Sequence, residues 1–151
     1  DYLKSRRPRI LYIAYAETDE WAHAGRYKDY LDAANHFDSY IEQIWKWIQA
    51  TPEYRNNTTL FITTDHGRGD QLKEKWVSHG SGLPESGEVW FAAIGPGIEA
   101  KGEIRSEGQI YQKQFAGTLA RMLRLRFQPE HPVAEPVREL GLPAGNIRVT
   151  N

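Results

Sequence analysis

In "TTLFITTDHGRGD" (58–70), Asp65 and His66 stand side by side at the end of an apolar, β-branched run. The chain contains no cysteine, so any metal must be held by His, Asp or Glu, and disulfides and thiolate nucleophiles are excluded. On a regular strand neighbouring side chains point to opposite faces, but past its end both can turn toward one pocket and reach adjacent ions. Gly67 and Gly69 permit that turn. Taken alone, the pair is more ordinarily a loop-capping Asp beside a surface His.

A second cluster lies in "ETDEWAHAG", where Asp19 and His23 are spaced so that one helical turn puts both on one face. The same segment also reads as a helix start capped by Thr18 or Asp19, with His23 merely exposed. His79, in "SHG", is a third imidazole that alone would pass for a solvated loop residue. Two imidazoles and a carboxylate make an open zinc site with one position left for water or substrate, so Asp19, His23 and His79 would suffice. Taken together, the clusters favour metal chemistry over a separate unremarkable role for each.

The elements that must position these residues follow from periodicity. "RILYIAY" (9–15) is expected to be a strand, entered after Pro8. Leu31, Ala34, Phe37, Ile41, Ile44, Trp45 and Ile48 recur at helical spacing and predict a helix over 27–50 with one buried face. "TPEYRNN" ends it, and "TTLFITT" (58–64) follows as a second strand. A strand, a long helix and another strand predict a right-handed parallel βαβ unit with both strands fully buried. Asp65 and His66 then sit at a strand's carboxyl end, where ligands collect in open parallel sheets.

Residues 67–88 show no periodicity, and loops of that length in compact domains are usually functional or disordered. "VWFAAIG" (89–95) predicts a further strand, and "QIYQKQFAGTLARML" a second amphipathic helix through Ile110, Phe115, Leu119 and Leu123. The tail from Arg126, with four prolines, reads as an irregular segment on the domain surface. The class is α/β, with no internal repeat and no second domain. Its 19 basic and 20 acidic residues create no net field for nucleic acid or an anionic membrane. No apolar run approaches the ~20 residues of a membrane span, so a soluble unit is expected. The opening "DYLKSRRPRILYIAY" lacks an initiator Met, which suggests a boundary or cleavage upstream.

The series "YIAYAETDEWAHAGRYKDYLDAANHFDSYIEQIWKWI", "TTLFITTDHGRG", "SHG" and "VWFAAIGPGI" resembles the C-terminal half of the alkaline phosphatase superfamily. That group includes phosphatases, nucleotide pyrophosphatases and phosphodiesterases, cofactor-independent phosphoglycerate mutases, phosphopentomutases and sulfatases. The resemblance covers residues 9–125. It implies a three-layer α/β sandwich with a mostly parallel sheet, of which this chain is the C-terminal part. It also implies that Asp19, His23 and His79 hold one metal, while Asp65 and His66 contribute to a second, about 4 Å away. Asp38 matches a position often occupied by Asp in the family and is read as structural.

Family members supply the remaining ligand of the second metal, and a Ser or Thr nucleophile at a helix start, from a region that would precede Asp1. The serines at 39, 78, 81, 86 and 106 lack the strand-to-helix setting of such a nucleophile. The resemblance thus implies a catalytic half, inactive alone, whose partner is the N-terminal part of the same protein. Imidazoles with carboxylates suit two divalent ions of Zn or Mn better than Ca, which favours phosphate esters of small molecules over sulfate esters. No nucleic acid or membrane partner is expected, and the family slightly favours an extracytoplasmic address. "TDEWAHAGRY" sits nearer the phosphatase and phosphodiesterase branch than the mutases. The alternatives are a phosphomutase, a sulfatase-related hydrolase, or a non-catalytic α/β binding module. Arg68, Lys73 and Lys75 lie where they could touch a phosphate, though charges in a loop are usually solvated.

Overall fold

The computed structural model describes residues 1–70, 74–105 and 109–141. In chain order the elements are α1 (Tyr2–Arg6), α2 (Glu17–His23), α3 (Tyr27–Ala50), α4 (Pro52–Arg55), β1 (Leu60–Thr63), β2 (Phe91–Ile94) and α5 (Phe115–Met122). Single 3₁₀ turns cover Lys75–Val77, Pro84–Gly87 and Gln112–Gln114. The chain separates into two compact units, Ile10–Pro96 and Asp1–Arg9 with Gly97–Asn151.

In the first unit, α2 opens with Glu17, Asp19 and Glu20 in its first turn, where the exposed N–H groups favour negative charge. It closes on Gly25, whose φ of 69° suits a left-handed cap. There the Arg26 N–H donates to the Trp21 carbonyl and the Gly25 N–H to the Ala22 carbonyl, both at 2.9 Å. This Schellman closure turns the chain directly into α3, and the fully buried Ala22 lets the two helices approach closely. Tyr15 meets Phe37 edge-on at 5.2 Å and stacks on Tyr40 at 5.8 Å, tying the preceding segment to α3.

Helix α3 spans the predicted residues, but its apolar stripe is only partly covered. Ala33 and Ile48 are buried, whereas Leu31 and Ala34 are exposed and Phe37, Ile41, Ile44 and Trp45 half-buried. The sheet explains this. Strands β1 and β2 pair antiparallel, with Leu60 opposite Ile94 and Thr63 opposite Phe91, in a sheet of two strands. Residues 9–15 do not join it, and Ile10, Leu11, Tyr12 and Ile13 are exposed. The expected parallel βαβ unit with fully buried strands is therefore replaced by a mixed α/β arrangement with a small antiparallel ladder. β-branched composition favours a pleated, half-buried surface but does not choose the partner strand.

The ladder is held by side chains as well as backbone. Phe61 and Phe91, diagonal neighbours on one face, stack with centroids 5.2 Å apart. Gly95, at φ 145°, lies so close to the backbone of Thr58 and Thr59 that a Cβ there would sit 2.7 Å from each.

In the second unit, α5 buries Phe115, Gly117, Thr118 and Ala120. The tail does more than cover the surface: Val137 and Leu140 are buried, and the Val137 N–H donates to Thr118 Oγ1 at 2.9 Å. Arg9 Nη2 donates to the Leu123 carbonyl at 2.8 Å, capping the end of α5. Among the described residues no helix is long and apolar enough to cross a membrane. Lys73, Ser106 and the tail beyond Gly141 lie outside the described residues.

Candidate metal centre

All the candidate ligands belong to the unit of Ile10–Pro96. Helix α2 presents Asp19 and His23 on one face, with Asp19 Oδ2 3.3 Å from His23 Nε2. Its N-cap is Ala16, and no side chain caps it, so the Asp19 carboxylate is left for tertiary contacts. His79, just beyond the 3₁₀ turn at Lys75–Val77, brings Nε2 to 3.1 Å from His23 Nε2 and 3.5 Å from Asp19 Oδ1. His79 thus bridges toward both helical groups, meeting one oxygen of Asp19 while His23 meets the other.

His66 follows β1 and joins the same cluster. Its ring stacks on that of His79 with centroids 3.7 Å apart, and its Nε2 lies 3.8 Å from Asp19 Oδ1. His66 Nδ1 is 2.9 Å from the Gly67 carbonyl. A carbonyl can only accept, so Nδ1 carries the proton and the neutral ring presents a lone pair at Nε2. Asp65 Oδ1 accepts the His66 backbone N–H at 3.0 Å and stands 3.7 Å from His66 Nε2, on a side chain that is 85% exposed. The two expected ligand sets form one contiguous cluster, with Asp19 facing both. Asp38 is exposed on α3.

Arg68 is not the solvated loop charge that its sequence setting also allowed. Its guanidinium bonds Asp19 Oδ1, and its Nη1 donates to the Trp76 carbonyl at 3.2 Å. Burial works against ionisation of Asp19, but the hydrogen bond and charge of Arg68, aided by His23 and His79, outweigh it and hold the carboxyl below its ordinary range. Trp76 meets Tyr27 at 5.3 Å and Tyr30 at 5.9 Å, clamping the loop before His79 onto the start of α3. Neither the anchoring role of Arg68 nor that of Trp76 has a local sequence signal, because both act across long separations. Beside His66 and His79 opens a cavity of about 350 Å³, lined also by Ser81, Leu83, Pro84 and Ser86.

A family model for the Metalloenzyme superfamily matches residues 1–123. The chain belongs to the Metalloenzyme superfamily. Two curated proteins of much greater length are among those the chain is similar to. One is a probable 2,3-bisphosphoglycerate-independent phosphoglycerate mutase of Leptospira interrogans serogroup Icterohaemorrhagiae serovar Lai (strain 56601), 25% identical over 118 residues, covering 74% of this chain and 21% of that protein. The other is a 2,3-bisphosphoglycerate-independent phosphoglycerate mutase of Legionella pneumophila (strain Paris), 24% identical over 128 residues, covering 85% of this chain and 23% of that protein. The chain thus spans between a fifth and a quarter of the length of the relatives it matches. No solved structure matches it.

Membership of the Metalloenzyme superfamily implies a divalent metal, and the donor geometry fits one. Ligand atoms at ~2.0–2.1 Å from a tetrahedral ion are about 3.3 Å apart. His23 Nε2 and His79 Nε2 are 3.1 Å apart, with Asp19 Oδ2 3.3 Å from the first and Asp19 Oδ1 3.5 Å from the second. Ligand atoms of Asp19, His66 and His79 also lie within 4.8 Å of one another.

Proposed function

We propose that this chain carries the metal-binding part of a metal-dependent phosphoryl-transfer enzyme that hydrolyses phosphate esters, as a phosphatase or phosphodiesterase. One observation supports the reading: Asp19, His23, His66 and His79, drawn from a helix and two distant loops, converge in one cluster of metal-ligand side chains, in which Asp19, His23 and His79 would hold one ion. Asp65 and His66 would contribute to a second ion beside it. The bound ions, Zn or Mn by donor type, would neutralise charge on the phosphoryl oxygens and activate the attacking group.

The chain's own residues prepare that centre. Arg68 keeps Asp19 ionised and oriented, and the Gly67 carbonyl fixes the His66 tautomer. The nucleophile and the last ligand of the second ion are assigned, by the resemblance to the alkaline phosphatase superfamily, to a segment outside these 151 residues. The exposed run at 10–15 would then find its place in the larger, mostly parallel sheet of that family. A small-molecule phosphate ester is the substrate on this reading.

The named relatives support a second reading, in which the phosphoryl group passes to another hydroxyl of the same molecule, as in a mutase. Following a phosphorylated substrate by phosphorus NMR with the longer protein that supplies the nucleophile separates the two, since a hydrolase releases inorganic phosphate and a mutase conserves the ester. The metal reading itself is tested by calorimetric titration of the chelator-stripped chain with zinc. About one tight equivalent is expected, lost in His23→Ala and kept in His131→Ala. Equal zinc binding by wild type and His23→Ala would sink it.

A further inference from the structure

We propose that Ser86 is the positioning residue that sets His66 and His79 against each other. The two histidines arrive on separate segments, one leaving β1 and one leaving the 3₁₀ turn at Lys75–Val77. Each is followed by a glycine, and Ser86 holds both glycines. The Gly67 N–H donates to the Ser86 carbonyl at 2.9 Å, and the Gly80 N–H donates to Ser86 Oγ, also at 2.9 Å.

The two bonds differ in what they require. Any residue at 86 offers a carbonyl to Gly67, whereas the bond from Gly80 needs an accepting side chain, here the Ser86 hydroxyl. Ser86 is itself fixed by its N–H bond to the Leu83 carbonyl at 3.0 Å, within the turn of Pro84–Gly87. That turn packs directly on the segment after His66: a Cβ at Gly67 would collide with the Glu85 carbonyl oxygen. A second tie, from the Gly69 N–H to the Ser78 carbonyl at 3.2 Å, brings the segments together on the other side of the histidines but makes no side-chain demand. The stacking of the rings at 3.7 Å and 16° is thus braced from below by one hydroxyl. Ser86 also lines the cavity on which the two rings open.

The role rests on the chain's own geometry, and its test therefore includes a measurement made without metal. In the metal-free wild-type chain, the stacked rings give His66 and His79 ring-proton resonances displaced by ring currents. In Ser86→Ala that displacement should collapse and exchange of the Gly80 amide should accelerate, while Ser86→Thr, which keeps the hydroxyl, should restore both. Zinc affinity should fall ~10–100-fold in Ser86→Ala, the loss typical of removing a group that orients a ligand, and recover in Ser86→Thr. Loss of the displacement in Ser86→Ala, with no zinc bound by wild type, would uphold the positioning role and overturn the function proposed above. Unchanged ring resonances in Ser86→Ala, or a Ser86→Thr variant as impaired as Ser86→Ala, would overturn the positioning role itself.

Discussion

Across 56 residues of sequence, His23 and His79 bring their Nε2 atoms to 3.1 Å. At that distance either one ring donates its Nε2–H to the lone pair of the other, or a cation takes the lone pairs of both. The two atoms meet only in the folded chain, so an ion held between them binds that state alone. Binding should therefore stabilise the fold: zinc at ~100 times its dissociation constant is expected to raise the unfolding free energy by about 2.7 kcal/mol. Thermal denaturation with and without zinc measures this, and an unchanged midpoint in saturating zinc would refute it.

The Asp19 carboxyl gives stability a defined pH dependence. Its folded value is depressed, so its contribution is complete above the ordinary Asp value of about 3.9 and is lost as pH falls through the folded value. Metal-free wild type should lose stability below pH ~4 more steeply than Asp19→Asn. At neutral pH, Asp19→Asn should already be weaker by about 1.5–3 kcal/mol, because Arg68 then keeps its charge without the charged acceptor. Urea melts of the two proteins at both pH values decide it.

Gly67 and Gly82 form a matched pair. A Cβ at Gly67 would collide with the carbonyl oxygens of Glu85 and Glu88, whereas one at Gly82 meets nothing within 4 Å. Gly67→Ala should cost about 1–3 kcal/mol, the usual range for forced overpacking. Gly82→Ala should be close to neutral. Equal stabilities in a denaturant series would show that the Pro84–Gly87 turn yields freely.

Trp76 should matter to the centre without touching it. Trp76→Ala removes the clamp on Tyr27 and Tyr30 and loosens the backbone carbonyl that holds Arg68. Zinc affinity should drop, whereas Trp76→Phe, which keeps an aromatic ring, should retain most of it. Calorimetry on the two variants provides the comparison, and equal affinity in Trp76→Ala and wild type would remove the clamp from the account.

The sequence made some of these features readable and not others, for physical reasons. Helix α3 and the pair Asp19 and His23 were legible because helical periodicity is local. Strands β1 and β2 were legible as strands, but their antiparallel pairing was not, since composition does not choose a partner. The run at 9–15 shows the same limit from the other side: strand-like in type, it joins no ladder among the described residues. Within the site, Asp65, His66 and His79 stood out by residue type. Arg68 was noticed only as a nearby charge, because its bond to Asp19 spans 49 residues. Ser86 carried no signal at all, since a serine in an aperiodic loop announces nothing until its hydrogen-bond partner is known.

The Schellman closure at Gly25 bears on the order in which the molecule assembles. The backbone that carries Asp19 and His23 is set by α2, α3 and the turn between them, so it forms through contacts near in sequence and closes with little entropy. His66 and His79 depend on bonds from Gly67 and Gly80 to Ser86, which require separate loops to converge. The helical pair should therefore be a scaffold that exists before the imidazoles reach it. In pulsed hydrogen exchange during refolding, the Arg26 amide should gain protection before those of Gly67 and Gly80. Simultaneous protection of all three would mean that scaffold and centre condense in one step.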